Sequence, residues 1–453
     1  MTWVKKRPGR YERPLDSMET FHKAYGAIGH GFNREHFSCT AAVEFHTEMD
    51  SHTLIDILRL AWQKMRFTYP QLAAYTEKDT FIYEVPDGEA LEVWLAATLR
   101  IESSTQTRND LIASFKPQQL ASLHYLPSNS EILFHTPHWR IDGVGTLQLL
   151  DSLFMAMSDP VSVTFGDEVR NLTVGLDEAA QVPKEKTQAM IEASAALLNQ
   201  FLDNLPSIGL ATPSDRLPAA TRWVTTELMP QTTTAIAAAC KANEFSVTAA
   251  IHAAVVCATQ AMADPARQSD KYTTFTFFDL RKHLAPIYQG KSHAMSVCHI
   301  GLPATFRPTN FAHNARELKR IYARPLSAPG ENNIFDILPS YVGMVTDMVS
   351  GPPPPGMLPA TEGNFSSVGS VDAYLKPSYG TIEITDLWLG VEMLTQIPMV
   401  HAWTRQGRMK FNVSYNESFF SPEVAQLFLD AVVTTLSQGL GVADEGTTPR
   451  PRL

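Results

Sequence analysis

The chain is short of charge. Of its 453 residues only 19 % are Asp, Glu, Lys or Arg, against ~25 % in ordinary globular domains. Apolar residues make up 44 %, enough to fill a sizeable core. A disordered tail, a coiled coil and a highly solvated acidic chain are therefore excluded. The charge present leans negative, with 37 Lys and Arg against 47 Asp and Glu, a formal −10. Such a balance makes the chain a poor candidate for nucleic-acid binding, which needs a basic face. Cysteine is scarce as well. Cys39, Cys240, Cys257 and Cys298 lie far apart among apolar neighbours, without a Cys-x-x-Cys pair or a zinc spacing. They are expected as reduced core thiols of a cytoplasmic protein. No apolar run approaches the ~18 residues of a membrane-spanning helix. The basic opening, Met1 to Leu15, has no apolar stretch behind it, so neither a signal peptide nor a membrane partner is expected. The Gly-x-Ser-x-Gly elbow, the Walker loop, the dinucleotide fingerprint and His-Glu-x-x-His are all missing.

What is there is an alternation of helical and strand patterns. Residues 52–72 carry Leu54, Ile57, Leu58, Ala61 and Met65 at helical spacing, with Asp50 or Ser51 as cap. Strands are predicted at 81–85, 90–94 and 130–134, and a helix at 143–155. A polar stretch, 181–186, an amphipathic helix, 187–205, and Pro206, Pro213 and Pro218 then read as a linker. After it the alternation restarts. Strands are predicted at 223–228, 272–278, 381–388, 399–403 and 410–415, and helices at 232–242, 248–262, 309–323 and 421–438. The proline run inside 351–356 can only be a loop. Length alone suggests ~3 domains. The patterns instead suggest an α/β chain of two comparable lobes, residues 1–180 and 221–453, joined by a crossover over 181–220.

Three stretches hold residues suited to chemistry. The first runs from His135 to Gly145. A short strand delivers a histidine, an aspartate follows four residues later, and a glycine opens a helix. A strand-to-helix connection projects side chains from a rigid edge, and the glycine admits a ligand. His138 is a candidate general base. Two blander readings compete: His138 and Asp142 as an ordinary surface pair, or His135 and His138 as metal ligands lacking a third. The second stretch ends an aromatic strand in Asp279-Leu280-Arg281, either a buried ion pair or a solvated strand end. The third, 364–377, gathers Ser366, Ser367, Gly369 and Ser370 in a small-residue strand or turn. His252 and His299 are expected as satisfied core or rim histidines, and no metal site is expected.

Taken together the stretches resemble the CoA-dependent acyltransferase superfamily, which includes chloramphenicol acetyltransferase, the plant BAHD enzymes and the condensation domains of nonribosomal peptide synthetases. Its His-x-x-x-Asp-Gly signature matches His138-Trp139-Arg140-Ile141-Asp142-Gly143, and its Asp-x-Arg matches Asp279-Leu280-Arg281. Phe245 to Ala253 resembles the start of the second lobe's long helix, and Asn412 to Asn416 the late strand. The plant Asp-Phe-Gly-Trp-Gly motif is not intact at 372–377, which argues against a plant-type enzyme. Tyr11-Glu12-Arg13-Pro14-Leu15 with Glu19 is most similar to the fungal branch containing trichothecene 15-O-acetyltransferase, a branch of secondary metabolism.

The resemblance implies two chloramphenicol-acetyltransferase-like lobes, each a mixed sheet with helices, around an active-site tunnel. It implies transfer of an acyl group, acetyl by expectation, from CoA to a hydroxyl of a hydrophobic metabolite. His138 would take the hydroxyl proton. Asp142 would pair with Arg281 and aim the histidine, with Asp279 in support, and Gly143 would keep the tunnel clear. Ser366, Ser367 and Ser370 are the oxyanion candidates. Acyl-CoA is the expected co-substrate, with no permanently bound cofactor and no metal. The partners are the acceptor and acyl-CoA, and the chain is expected to be a monomer. Two other readings stay open: a condensation-type or cyclising enzyme using a carrier-bound or tethered substrate, and an inactive binding homologue.

Overall fold

The structure, a computed structural model, describes residues 2–443 apart from 104, 214, 328–332 and 353–355. The centre of the expected proline loop thus lies outside the described residues. The first lobe is built on a six-stranded sheet. Its order is Ser378–Tyr379, Ile382–Val391, Cys39–His46, Glu131–Thr136, Ser122–Leu126, Leu99–Ile101. The strand Glu131–Thr136 is buried at every residue. Helices Ser51–Thr68 and Gly143–Ser158 pack on one face, where Leu58, Trp62, Phe134 and Leu150 share a core. The shorter helix Arg108–Ser114 covers the other face with Leu111 and Ile112 against Leu133. Burial on both faces explains why 130–134 reads as a plain apolar run rather than an alternation.

The second lobe holds a four-stranded sheet, Asn364–Ser370, Met399–Arg405, Arg408–Asn416, Thr221–Glu227. Helices Val247–Ala261 and Pro422–Leu440 pack against it through a core that includes Val255, Phe411, Phe428 and Val432. A long antiparallel pair, Tyr272–Asp279 with His299–Phe306, runs beside it.

The lobes are not segregated along the chain. Strand Ile382–Val391 comes from the second half yet pairs antiparallel with Cys39–His46, Trp388 opposite Ala42. Its Ile382, Ile384, Leu387 and Leu389 enter the first lobe's core. Without it, Cys39–His46 would be a bare edge strand. The second lobe holds the crossing strand from behind: Asn412 Nδ2 donates to the Leu389 carbonyl at 3.0 Å.

The segment 181–220 is equally tied down. Helix Gln188–Leu202, capped by Thr187, packs on helix Ile334–Ser350. Beyond it Ile208 N donates to the Lys271 carbonyl (2.8 Å) and Leu210 N to that of Thr361 (3.1 Å). Among the differences from expectation are one strand and one helix. Residues 90–94 are not a strand but part of helix Gly88–Thr98, capped by Asp87. Leu91, Trp94 and Leu95 fall at helical spacing, which a five-residue window cannot separate from a strand. Helix Ile334–Ser350 was not expected, because Pro339 lies inside it and proline reads as a break. The four cysteines are free. Among the described residues no helix is long and apolar enough to cross a membrane.

Candidate active site

The buried strand Glu131–Thr136 runs through Pro137 into one turn, His138–Arg140, and then into helix Gly143–Ser158. Asp142 is that helix's N-cap, accepting from Gly145 N at 2.8 Å, as a cap carboxylate does. It accepts three further hydrogen bonds. Arg281 donates to both its oxygens (2.9 and 2.8 Å), and Cys298 N donates to Oδ2 at 2.7 Å. Burial alone would push the Asp142 carboxyl up, but the charge and hydrogen bonds of Arg281, with His299 and the Gly145 N–H, together hold the group below the usual range. Both side chains are only 5 % exposed. Arg281 also donates to Asp279 Oδ1 at 3.2 Å. The expected Asp142–Arg281 ion pair is present, and it pins the loop of one lobe to the strand end of the other.

The turn itself is nailed from beneath by Arg140, which the sequence did not single out. Its guanidinium is buried and donates to the carbonyls of Ala74 (2.9 Å), Gln119 (2.8 Å) and Gln71. Among the described residues no carboxylate is hydrogen-bonded to it, and burial lowers it to about 9 against the pull of the Glu19 charge.

His138 points into a cavity of about 320 Å³ lined by both halves of the chain. Burial pushes its imidazole below the ordinary value, while the carbonyls of His138 and Ile141 and the Asp142 charge pull the other way. The ring is therefore neutral at pH 7 and able to accept a proton. Two further histidines stand beside it. His22, from helix Ser17–Ala27, stacks on it at 4.0 Å with the planes 12° apart. His299 lies 5.2 Å away, centroid to centroid, and its Nε2 is 3.1 Å from that of His22. Burial drives His299 down to about 3 and His22 well below its usual value. His299 is thus not a rim histidine but a wall of the site. His252, by contrast, is a satisfied core residue, held between the hydroxyls of Tyr322 and Tyr272 at 2.9 Å each.

The ring nitrogens of His22, His138 and His299 lie within 4.8 Å of one another. That cluster has the composition of a zinc site, but not its geometry. A ligand ring holds the ion in its own plane, and the stacked planes of His22 and His138 cannot share one without rotation. His135 takes no part in it. Its Nδ1 bonds Thr40 at 2.9 Å and its ring stacks on Phe115.

The opening motif explains His22's placement. Arg13 is fully buried and makes two bonds to Glu19 (2.7 and 2.6 Å). Glu19 closes a capping box with Asp16 at the start of helix Ser17–Ala27. The pair fixes the helix that lays His22 over His138. Of the serine candidates, Ser366 and Ser367 line the cavity, with Ser366 opposite His401 in the parallel pairing. Ser370, at the strand's exposed end, does not line it. Gly143 borders the cavity with room for a methyl group, its nearest neighbour being Val368 at 3.6 Å. Gly145 has no such room, since a Cβ there would sit 2.2 Å from the Ala294 carbonyl.

No family model matches the chain. The chain is similar to the acetyltransferase pigO of Monascus ruber, 31 % identical over 98 % of this chain and 99 % of that protein. It is 28 % identical to the O-acetyltransferase pigM of the same organism, over 98 % of this chain and 88 % of that one. In three dimensions it aligns with the trichothecene 15-O-acetyltransferase of Fusarium sporotrichioides at a TM-score of 0.81, covering 96 % of each chain at 16 % identity. That match shows the fold.

Proposed function

Because this chain belongs to the CoA-dependent acyltransferase superfamily, among the acetyltransferases of fungal secondary metabolism, we propose that it moves an acetyl group from acetyl-CoA to a hydroxyl of a hydrophobic small molecule, with His138 as general base. The observation that carries this reading is the His138 ring, aimed into a two-sided cavity from a loop held by the Asp142–Arg281 pair.

The chemistry follows from the geometry. His138 accepts the proton of the acceptor hydroxyl as its oxygen attacks the thioester carbonyl. Such base catalysis is worth ~10²–10⁴-fold. Negative charge gathers on the carbonyl oxygen, and Ser366 and Ser367 are the small hydroxyl donors on the cavity wall suited to meet it. Collapse expels the CoA thiolate, which takes the proton back from His138. Asp142 and Arg281, already bonded to each other, act by positioning rather than by proton transfer. They hold the loop, and Gly143 leaves the approach open. The unpaired cysteines support a reducing, cytoplasmic setting.

The test is His138→Ala, assayed for thiol release from acetyl-CoA in an extract of the producing organism lacking this protein. Wild type should yield a product heavier by one acetyl group. The variant should bind acetyl-CoA and release at most about one hundredth of the thiol. Undiminished turnover overturns the base assignment and favours a cyclising role on the same fold. Absence of both acetyl-CoA binding and turnover in wild type favours a binding homologue.

A further inference from the structure

The cavity holds a carboxyl group that acetyl transfer does not use. Glu362 lines the cavity, is only 3 % exposed, and its Oε2 has no hydrogen-bond partner among the described residues. The cation whose field reaches it, Arg267, is engaged elsewhere: its Nε donates to the Ser207 carbonyl (3.1 Å) and Nη2 to that of Pro359 (2.9 Å). Two tyrosines also feel its charge. Tyr272 gives its hydroxyl to the Gly363 carbonyl at 2.7 Å, while Tyr25 lines the cavity. Burial raises the Glu362 carboxyl to about 7 even though the backbone N–H groups of Glu362 and Thr361 and the Arg267 charge pull it down, which leaves Oε2 the oxygen without a partner. A buried oxygen without a partner is costly to a fold, and the penalty disappears when a bound molecule supplies a donor.

Position says which molecule. Ala360 and Glu362, just before strand Asn364–Ser370, line the cavity together with that strand's Asn364, Ser366, Ser367 and Val368. Ser366 stands opposite His401, whose ring is within electrostatic reach of His138. Glu362 is four residues further along, at most about 14 Å away. The cavity lining also carries the apolar side chains Val391, Ile397 and Met399, with Asn364 as a polar residue between Glu362 and Ser366. An acid at the far end repels the phosphates of CoA, which leaves the acceptor as its partner.

We propose that Glu362 is the acceptor-recognition group: the molecule whose hydroxyl is acylated at His138 also carries a hydrogen-bond donor, an amine or a second hydroxyl, that pairs with this carboxyl across an apolar body. The inference rests on the acyl-transfer reading, which sets the hydroxyl at His138. It names an acceptor class: elongated, greasy in the middle, polar at both ends.

The test uses three ten-carbon alcohols, 1-decanol, 1,10-decanediol and 10-amino-1-decanol, titrated calorimetrically into the whole protein, Glu362→Leu and Glu362→Gln. Wild type should bind at least one donor-bearing alcohol about tenfold more tightly than decanol. A lead for the amino alcohol marks a cationic acceptor, and a lead for the diol a neutral one. In E362L the advantage should shrink to about twofold or less, with the Kd of acetyl-CoA unchanged. If E362L does not fold, E362Q should remove the advantage of the amino alcohol while keeping that of the diol. No preference in wild type, no binding of any alcohol, or a preference that survives both variants overturns the proposal. So does weakened acetyl-CoA binding in E362Q, which would place the carboxyl on the donor's side. Thiol release from acetyl-CoA with the best-bound alcohol tests acyl transfer separately. Its absence counts against transfer and leaves the binding ratio standing.

Discussion

Arg281 grips Asp142 with two parallel hydrogen bonds of 2.9 and 2.8 Å, joining residues 139 positions apart in the chain. The pair is a hinge pin between lobes. It fixes the start of helix Gly143–Ser158, and through Cys298 N it also fixes the strand that carries His299. Removing Arg281 leaves the buried Asp142 charge without its cation, and removing Asp142 leaves the buried Arg281 only the half-exposed Asp279, losses of up to ~3–5 kcal/mol. We expect Asp142→Ala and Arg281→Ala each to lose about that much in urea unfolding. The double variant should lose clearly less than the two together. Strict additivity would show that the groups do not stabilise each other.

The His138 ring is buried and its affinity for protons is lowered. A base must be neutral to act, so activity should be full above the imidazole's pKa and fall as pH drops through it. The acid limb of kcat/KM should have its midpoint below the ordinary 6.5. A midpoint above 6.5 would mean that another group sets the limb.

How much of this was legible beforehand differs by kind of information. The His138 to Gly143 signature and Arg281 could be read because both sit at strand ends with recognisable spacing. Their pairing entered with the resemblance, since nothing local to Arg281 points 139 residues back. His22 and His299 were invisible as site residues. Each looks like an ordinary histidine until helix Ser17–Ala27 and strand His299–Phe306 fold onto the same loop. The Tyr-Glu-Arg-Pro-Leu motif with Glu19 was visible as a pattern, yet its work, the buried Arg13–Glu19 pair beneath His22's helix, needed the fold. Strand Ile382–Val391 was readable from its residues, but its partner was not. Hydrophobic pattern tells a strand which face is buried, not which sheet it joins.

The two glycines of the loop should part company on substitution. At Gly145 a methyl group would meet the Ala294 carbonyl at 2.2 Å and the Ile141 side chain at 2.8 Å. Backbone has to move, so Gly145→Ala should unfold at lower denaturant by ~1–3 kcal/mol. At Gly143 the nearest protein atom is 3.6 Å away, and alanine favours a helix's first turn over glycine by up to ~1 kcal/mol. Gly143→Ala should therefore be at least as stable as wild type. Its new methyl group enters the cavity beside His138, so thiol release with acetyl-CoA and acceptor should fall. Equal stability losses at both positions would show that the loop, not the ligand, demands glycine at 143.

His252 offers a test of the core itself. Its two nitrogens are 2.9 Å from the hydroxyls of Tyr322 and Tyr272, and burial holds the ring down to about 3. In the unfolded chain the same ring titrates near 6.5. Below 6.5 the unfolded chain takes up a proton that the folded protein refuses, so the stability His252 contributes is complete above 6.5 and is lost as pH falls toward 3. The loss runs at about 1.4 kcal/mol per pH unit. His252→Gln keeps a polar group between the tyrosines but binds no proton. The variant should be less stable than wild type at pH 7.5. The gap should narrow by about that slope between pH 6 and 4.5 in urea melts. A gap that stays constant with pH would mean that the ring keeps its proton in the fold, and the Tyr322 and Tyr272 hydroxyls would then both be acting as acceptors.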